Sequence, residues 1–309
     1  MTLLTLTLLF FHSVGFVAGN YYNFWNVDAA SSTWDLTRSA RMAVTSPKTI
    51  PMLGMRKTAI IEPNRTAYII VDMQNFFLHP QLSPNATRGR LAVGPTLDMI
   101  HAFRKNAMKI LWVNWGIDAY DLLTMPPAFL DTFATDHTAA TSFCSDMGVL
   151  QDGGMEIAMG GKLCRGSWNA RPYGPLYKEM VKGIEHGTDV LLHKNRFSGL
   201  WGAQTPLGLY LQETGITTLF ISGVNSDQCV WSTLIDAFFK GFDIVYVEDC
   251  TATTSPWYAE EMARYNADFN GFLANSTVVP WVPIYECVSQ MWTSGFVLKL
   301  QATERALQQ

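Results

Sequence analysis

Residues 218–230 read Thr-Leu-Phe-Ile-Ser-Gly-Val-Asn-Ser-Asp-Gln-Cys-Val. The apolar half, closed by Gly223, has the look of a parallel strand covered on both faces. The polar half is a tight turn, and Cys229 then falls among the first residues of a helix. In open parallel sheets, active sites lie at the carboxyl ends of the strands. A cysteine at a helix N-terminus there has backbone N–H groups and the helix dipole to stabilise a thiolate. The expectation is a chain organised to arm this one thiol.

Outward from that stretch, strands and helices alternate. Thr66 to Met73 is an apolar, β-branched strand with Asp72 near its carboxyl end. A helix is expected from about Leu91 to Ala107, then a strand Ile110–Trp115 that ends in Asn114 and Trp115. Thr188–Lys194 reads as a third strand, Pro206–Thr214 as a helix, Cys229–Lys240 as a helix closed by Gly241, and Phe242–Glu248 as a fifth strand. Ser255 and Pro256 open a further helix that runs to Phe272. This alternation implies a parallel sheet with crossover helices, an α/β fold. Two regions stand outside the pattern. Residues 20–58, rich in aromatics but without periodicity, are expected to form an irregular arm on the surface of a domain spanning 59–309. Residues 118–172, with Pro126-Pro127, Gly153-Gly154 and Gly160-Gly161, are expected to be an insertion or lid.

The chain has 309 residues, 48% of them apolar, which is enough for one large α/β domain with additions. Its formal charge of −4 offers no basic field, so nucleic acid is not an expected partner. Residues 1–19 hold an apolar core of about ten residues, too short to span a bilayer comfortably. Small residues follow, and the segment reads as a secretory signal peptide, although no Lys or Arg precedes the apolar core. Sequons at Asn64, Asn85 and Asn275 agree with secretion. So does the odd cysteine count of five, which leaves one thiol unpaired in an oxidising compartment. Sequence proximity, with Cys229 kept free, pairs Cys144 with Cys164 and Cys250 with Cys287. Five reduced packing cysteines are the alternative.

Asp72, Lys194 and Cys229 all fall at strand ends, which in an open parallel sheet line one edge. A carboxylate can take the thiol proton and an ammonium can stabilise the thiolate, so that sulfur attacks a carbonyl carbon. Backbone N–H groups at the turn would hold the oxyanion. Taken singly, Asp72 also reads as a helix cap, Lys194 as a solvated lysine and Cys229 as a buried apolar thiol. Their joint placement favours acyl transfer through a thioester.

Three blocks, Ile70-Val-Asp-Met-Gln-Asn-Phe-Phe, His193-Lys-Asn-Arg-Phe-Ser-Gly and Gly223-Val-Asn-Ser-Asp-Gln-Cys-Val, resemble the isochorismatase-like cysteine hydrolases in order and spacing across roughly residues 60–290. The resemblance implies a three-layer α-β-α fold with a mostly parallel, Rossmann-like sheet. It also implies a catalytic triad of Asp72, Lys194 and Cys229, a cis peptide at Val224–Asn225, and oxyanion donors at the N–H groups of Asn225 and Cys229. Gly161-Lys-Leu-Cys-Arg-Gly-Ser-Trp and Lys194-Asn-Arg-Phe-Ser-Gly-Leu-Trp are similar to segments of the ureidoacrylate amidohydrolases. That similarity suggests a small amide, carbamoyl or ureido substrate. Gln74, Asn75, Asn114, Trp115 and Phe197 are then pocket-wall candidates, with core packing the alternative for Trp115 and Phe197. Arg196 is either a structural ion-pair partner or a clamp for a substrate carboxylate.

Nicotinamidases of this superfamily carry an Asp and His pair that binds a metal, whereas Asn114-Trp-Gly-Ile-Asp-Ala-Tyr here has no nearby histidine. No metal or other cofactor is expected. Two other outcomes stay open: isochorismate hydrolysis, and a catalytically inactive binding protein on the same scaffold. Relatives often assemble as homo-oligomers.

Overall fold

The structure is a computed structural model that describes residues 25–279. The expected signal peptide and Cys287 lie outside the described residues. The segment expected to be an irregular arm is instead a four-stranded sheet: β1 (Asn26–Asp28), β2 (Thr33–Asp35), β3 (Lys48–Pro51) and β4 (Thr58–Ile61), in the order β1-β2-β4-β3. Its strands are three or four residues long, too short for a readable alternation. They still bury Ile50, Ala59 and Ile61 in the core, together with Leu36 just after β2. Arg56 lies over the rings of Trp25, Trp34 and Phe272 at 5.9, 5.9 and 5.5 Å, joining this sheet to the main one. Arg38, itself buried, grips the buried carboxylate of Asp243 with both terminal nitrogens.

The remaining strands are β5 (Thr66–Val71), β6 (Lys109–Trp115), β7 (Val149–Asp152), β8 (Met155–Ala158), β9 (Asp189–Lys194), β10 (Thr218–Val224), β11 (Asp243–Ala252) and β12 (Phe272–Ala274). Six of them form an all-parallel sheet ordered β12-β11-β10-β5-β6-β9. Every residue of β5 and β10 is buried, which is why both read as unbroken apolar runs. One face packs Tyr68, Trp112 and Phe220 against Met99, Ile100 and Phe103 of helix Val93–Lys105, and against Leu176 and Met180 of helix Pro175–Glu185. The other face packs Ile69, Val113 and Ile221 with Leu207 and Leu211 of helix Pro206–Thr214 and Leu234 of helix Trp231–Phe239. Each fully buried aliphatic or aromatic side chain contributes about 1.5–3 kcal/mol, so the two faces together hold the three layers.

Local signals place the helix ends. Thr205 accepts the Gly208 N–H at the start of Pro206–Thr214, and Gly215 closes it at φ 67°. The chain leaves β5 through β6 to β9, then returns to β10, β11 and β12 on the other side. The reversal falls between β5 and β10, the crevice where open α/β sheets bind ligands. At that point Gly223 adopts φ 122°, and a Cβ there would sit 1.9 Å from the Val71 carbonyl oxygen. Only glycine lets the two strands approach so closely.

Residues 118–172 hold more structure than their sequence suggests. Asp118 and Asp121 form a reciprocal capping box at helix Ala119–Thr124, which is followed by helix Pro127–Thr132 and the β7–β8 hairpin. A disulfide joins Cys144 to Cys164, as sequence proximity suggested. Cys250, by contrast, is a free, buried thiol beside Tyr68 and Asp249, and its expected partner is Cys287. Among the described residues no helix is long and apolar enough to cross a membrane.

Candidate active site

β5 ends at Val71, and Asp72 turns out of the strand at φ 52°, the left-handed region. Such a conformation costs a non-glycine residue roughly 1–2 kcal/mol. Here the Asp72 N–H donates to the Val113 carbonyl at 3.2 Å, and its Oδ1 accepts the Trp115 N–H at 3.1 Å. The carboxylate is fully buried. Lys194, the last residue of β9, reaches across β6 to meet it. Its Nζ passes 3.7 Å from the centre of the Trp115 ring, stands 2.9 Å from Asp72 Oδ2, and donates to the Arg196 carbonyl at 3.0 Å. At that distance the ammonium and the carboxylate form a fully buried ion pair.

Cys229 arrives from β10 through a single π-helical turn, Ser226–Val230, one turn before helix Trp231–Phe239 begins. Insertions of this kind concentrate at functional sites. The Val224–Asn225 peptide is cis. The Asn225 carbonyl accepts the N–H groups of Gln228 and Val230, and Thr233 Oγ1 donates to the Cys229 carbonyl at 2.8 Å, which fixes the turn. The thiol lies within hydrogen-bonding reach of both the Asp72 carboxylate and the Lys194 ammonium. The structure thus brings the three predicted residues together from three separate strands.

Their electrostatics differ from the expected helix-stabilised thiolate. Burial pushes the Cys229 thiol up, Lys194 pulls it down, and the charge of Asp72 pushes it up again. The net direction is upward, because only 4% of the residue is exposed. Burial likewise holds the Asp72 carboxyl above its ordinary range, with Lys194 as the main opposing influence. The arrangement is a protonated thiol beside a carboxylate that can receive its proton.

The proposed wall residues divide. Gln74 is fully buried: its Nε2 donates to the carbonyls of Trp115 and Ala170 at 2.9 and 2.7 Å, and its Oε1 accepts the Trp115 N–H at 3.1 Å. It is a strut between β6 and the loop at Ala170, with no group free for a substrate. Trp115 is also fully enclosed, by Lys194 and by the rings of Phe133, Phe143 and Phe197, so it offers no open face for stacking. Asn75 Nδ2 donates to the Trp168 carbonyl, and the residue faces a cavity that none of Asp72, Lys194 and Cys229 lines. Asn114 is buried with an Oδ1 that has no partner among the described residues, and Phe197 is half-buried. Arg196 donates to the carbonyls of Asn195 and Thr124 and lies 4.7 Å from the Trp201 ring centre, a tie between the loop after β9 and helix Ala119–Thr124.

Two features escaped sequence reasoning. Phe133 and Phe143 complete the aromatic enclosure from inside the insertion, and no local signal announces a contact with Trp115 so distant along the chain. His193 packs against Gly116, where a Cβ would lie 2.0 Å from Nδ1; the Trp115-Gly116 pair was the only hint of that close approach. His193 is pushed down by burial and by Arg165, against Asp121 and Asp118. Among the described residues no group of three His, Cys, Asp or Glu side chains is arranged to hold a metal ion.

Residues 158–274 match the family model described as the isochorismatase domain. The fold is shared with the nicotinamidase PncA from Bacillus subtilis, at a TM-score of 0.52 and 22% identity over 68% of this chain and 99% of that one. It is also similar to a cysteine hydrolase from Pseudomonas syringae pv. phaseolicola 1448A (TM-score 0.53, 16% identity, 74% of this chain, 94% of that one). An isochorismatase family protein from Desulfovibrio vulgaris subsp. vulgaris str. Hildenborough matches at a TM-score of 0.50 and 23% identity, over 69% of this chain and 95% of that one. The chain thus matches the isochorismatase domain over residues 158–274 and shares its fold with these solved structures.

Proposed function

We propose that the chain is a secreted, metal-free amidohydrolase that cleaves a C–N bond of a small amide, carbamoyl or ureido substrate, with Cys229 as nucleophile. The observation that carries this reading is the buried Asp72–Lys194 pair at 2.9 Å, set within reach of the Cys229 thiol. As sulfur adds to the carbonyl carbon, Asp72 takes the thiol proton, so no preformed thiolate is required. The N–H groups of Asn225 and Cys229 receive the developing oxyanion. Asp72 then returns the proton to the departing nitrogen, which leaves as ammonia or an amine and gives a thioester. Water attacks the thioester, Asp72 accepts a proton from it, the acid leaves, and the thiol is restored. Lys194 remains an ammonium throughout, favouring the ionised form of Asp72 despite burial.

The ureidoacrylate-like segments around Arg165 and Phe197 support a ureido or carbamoyl substrate, and the unpartnered Asn114 Oδ1 is an acceptor suited to its N–H. Secretion is supported by the apolar segment 1–19 and by the Cys144–Cys164 bridge. The test is ammonia release from a panel of small amides and ureas, with pyruvate release from isochorismate measured in parallel. Wild-type protein is expected to release ammonia, and Cys229→Ala to lose that activity to the detection limit. Full turnover by Cys229→Ala, or pyruvate release alone, would overturn the proposal.

A further inference from the structure

A cavity of about 590 Å³ lies beside helix Pro175–Glu185, and none of the proposed catalytic residues lines it. That volume is in the range of small-molecule sites. Its wall is aromatic: the His79 ring stands edge-on to Trp168 at 5.3 Å and to Tyr173 at 6.2 Å, and Tyr177 completes the wall. The wall is tied to the end of β5. Asn75 Nδ2 holds the Trp168 carbonyl at 2.9 Å, the Tyr173 N–H donates to the Met73 carbonyl at 2.8 Å, and the Asn75 N–H donates to the Arg171 carbonyl at 2.8 Å. The cavity is therefore preformed.

Its charges are unbalanced. Arg171 and Lys178 both line it, and among the described residues neither has a carboxylate partner. Arg171 instead lies 5.3 Å from the centre of the Tyr177 ring. Lys178 sits in the first turn of its helix, where a cation opposes the macrodipole, and Gly174 caps that end without a side-chain hydrogen bond. The one carboxylate in the lining, Asp152, faces His79 Nε2 at 3.5 Å. From the aromatic wall and the two unpaired cations we infer that this cavity binds a planar aromatic molecule carrying a carboxylate, in a site separate from the one that holds Cys229. The rings take the flat body, and Arg171 and Lys178 take the anionic end.

Calorimetric titration of the full chain with 2-naphthoate tests this, with 2-naphthylmethanol as the neutral counterpart. One saturable site for 2-naphthoate is expected. Arg171→Gln combined with Lys178→Gln weakens it by about fivefold per cation, on the order of twentyfold in all, and leaves the alcohol unaffected. Both substitutions fall on exposed residues, and a thermal melt confirms that the variant folds. Cys229→Ala leaves 2-naphthoate affinity unchanged, so failure of the proposed hydrolysis does not affect the result. Absence of saturable binding, equal loss for acid and alcohol, or loss of binding in Cys229→Ala would overturn the inference.

Discussion

Replacing Asp72 by Asn separates two roles that a carboxylate beside a thiol can play. If Asp72 receives the proton of Cys229, the variant loses turnover, and loss of a general base typically costs 10²- to 10⁴-fold. Its effect on the thiol itself runs the other way. The Asp72 charge and its hydrogen bond both push the thiol up, while Lys194 pulls it down. Two unit charges about 4 Å apart interact by about 4 kcal/mol at an effective dielectric near 20, roughly three pK units. Cys229 and Asp72 are both buried, so solvent screening reduces this little. After local relaxation, a drop of about two units in thiol ionisation is expected for Asp72→Asn, against a rise for Lys194→Met. The assay is alkylation by iodoacetamide between pH 6 and 10, read at the Cys229 peptide by mass spectrometry, beside ammonia release from the same samples. The Asn variant should alkylate up to about 100-fold faster at pH 8 and yet be inactive. A thiol that ionises at the same or a higher pH, or a variant with wild-type turnover, would refute the reasoning.

Three further outcomes follow from other contacts. Burial holds Asp72 above the ordinary carboxylate value of 3.8, and only its ionised form accepts the proton. kcat/KM should therefore fall on the acid side with a midpoint above 3.8; a profile flat to that pH in folded protein would contradict it. Gly223→Ala places a methyl group 1.9 Å from the Val71 oxygen and should cost about 3 kcal/mol or more in urea unfolding. Gly94→Ala, in a helix with nothing within 4 Å, should instead gain up to about 1 kcal/mol. Arg38→Met leaves Asp243 buried without that partner, at a cost of about 3 kcal/mol or more. Burial already raises Asp243, and protonation relieves an unpaired carboxylate, so the loss measured by thermal melt should be larger at pH 8 than at pH 5.

The sheet and the three chemical residues were legible for one reason: parallel strands buried on both faces write themselves as apolar runs, and their ends are marked by polar residues. Thr66–Val71 and Thr218–Val224 are buried at every position, and Asp72 and Asn225 follow them directly. The N-terminal sheet was not legible, because strands such as Thr33–Asp35 complete no alternation and their pairing is set by contacts far along the chain. β12 was absorbed into the helix expected to reach Phe272. The raised Cys229 thiol was missed for a different reason. A helix end and a lysine are visible in sequence, but the depth of burial that outweighs them comes from the core assembled around the thiol by tertiary packing.

Residues 118–172 leave and rejoin the sheet edge at nearly one point. The Ile117 N–H donates to the Leu163 carbonyl, the Arg165 N–H donates to the Ile117 carbonyl, and the Cys144–Cys164 bridge closes the loop beside them. A loop clamped at its base can change length at small entropic cost, since closure depends only weakly on the number of residues enclosed. The strands themselves would not register a change confined to the exposed β7–β8 hairpin. Grafts that keep Phe133 and Phe143 against Trp115 should therefore leave the Lys194 ammonium where it stands, whereas grafts that lose them should disturb it.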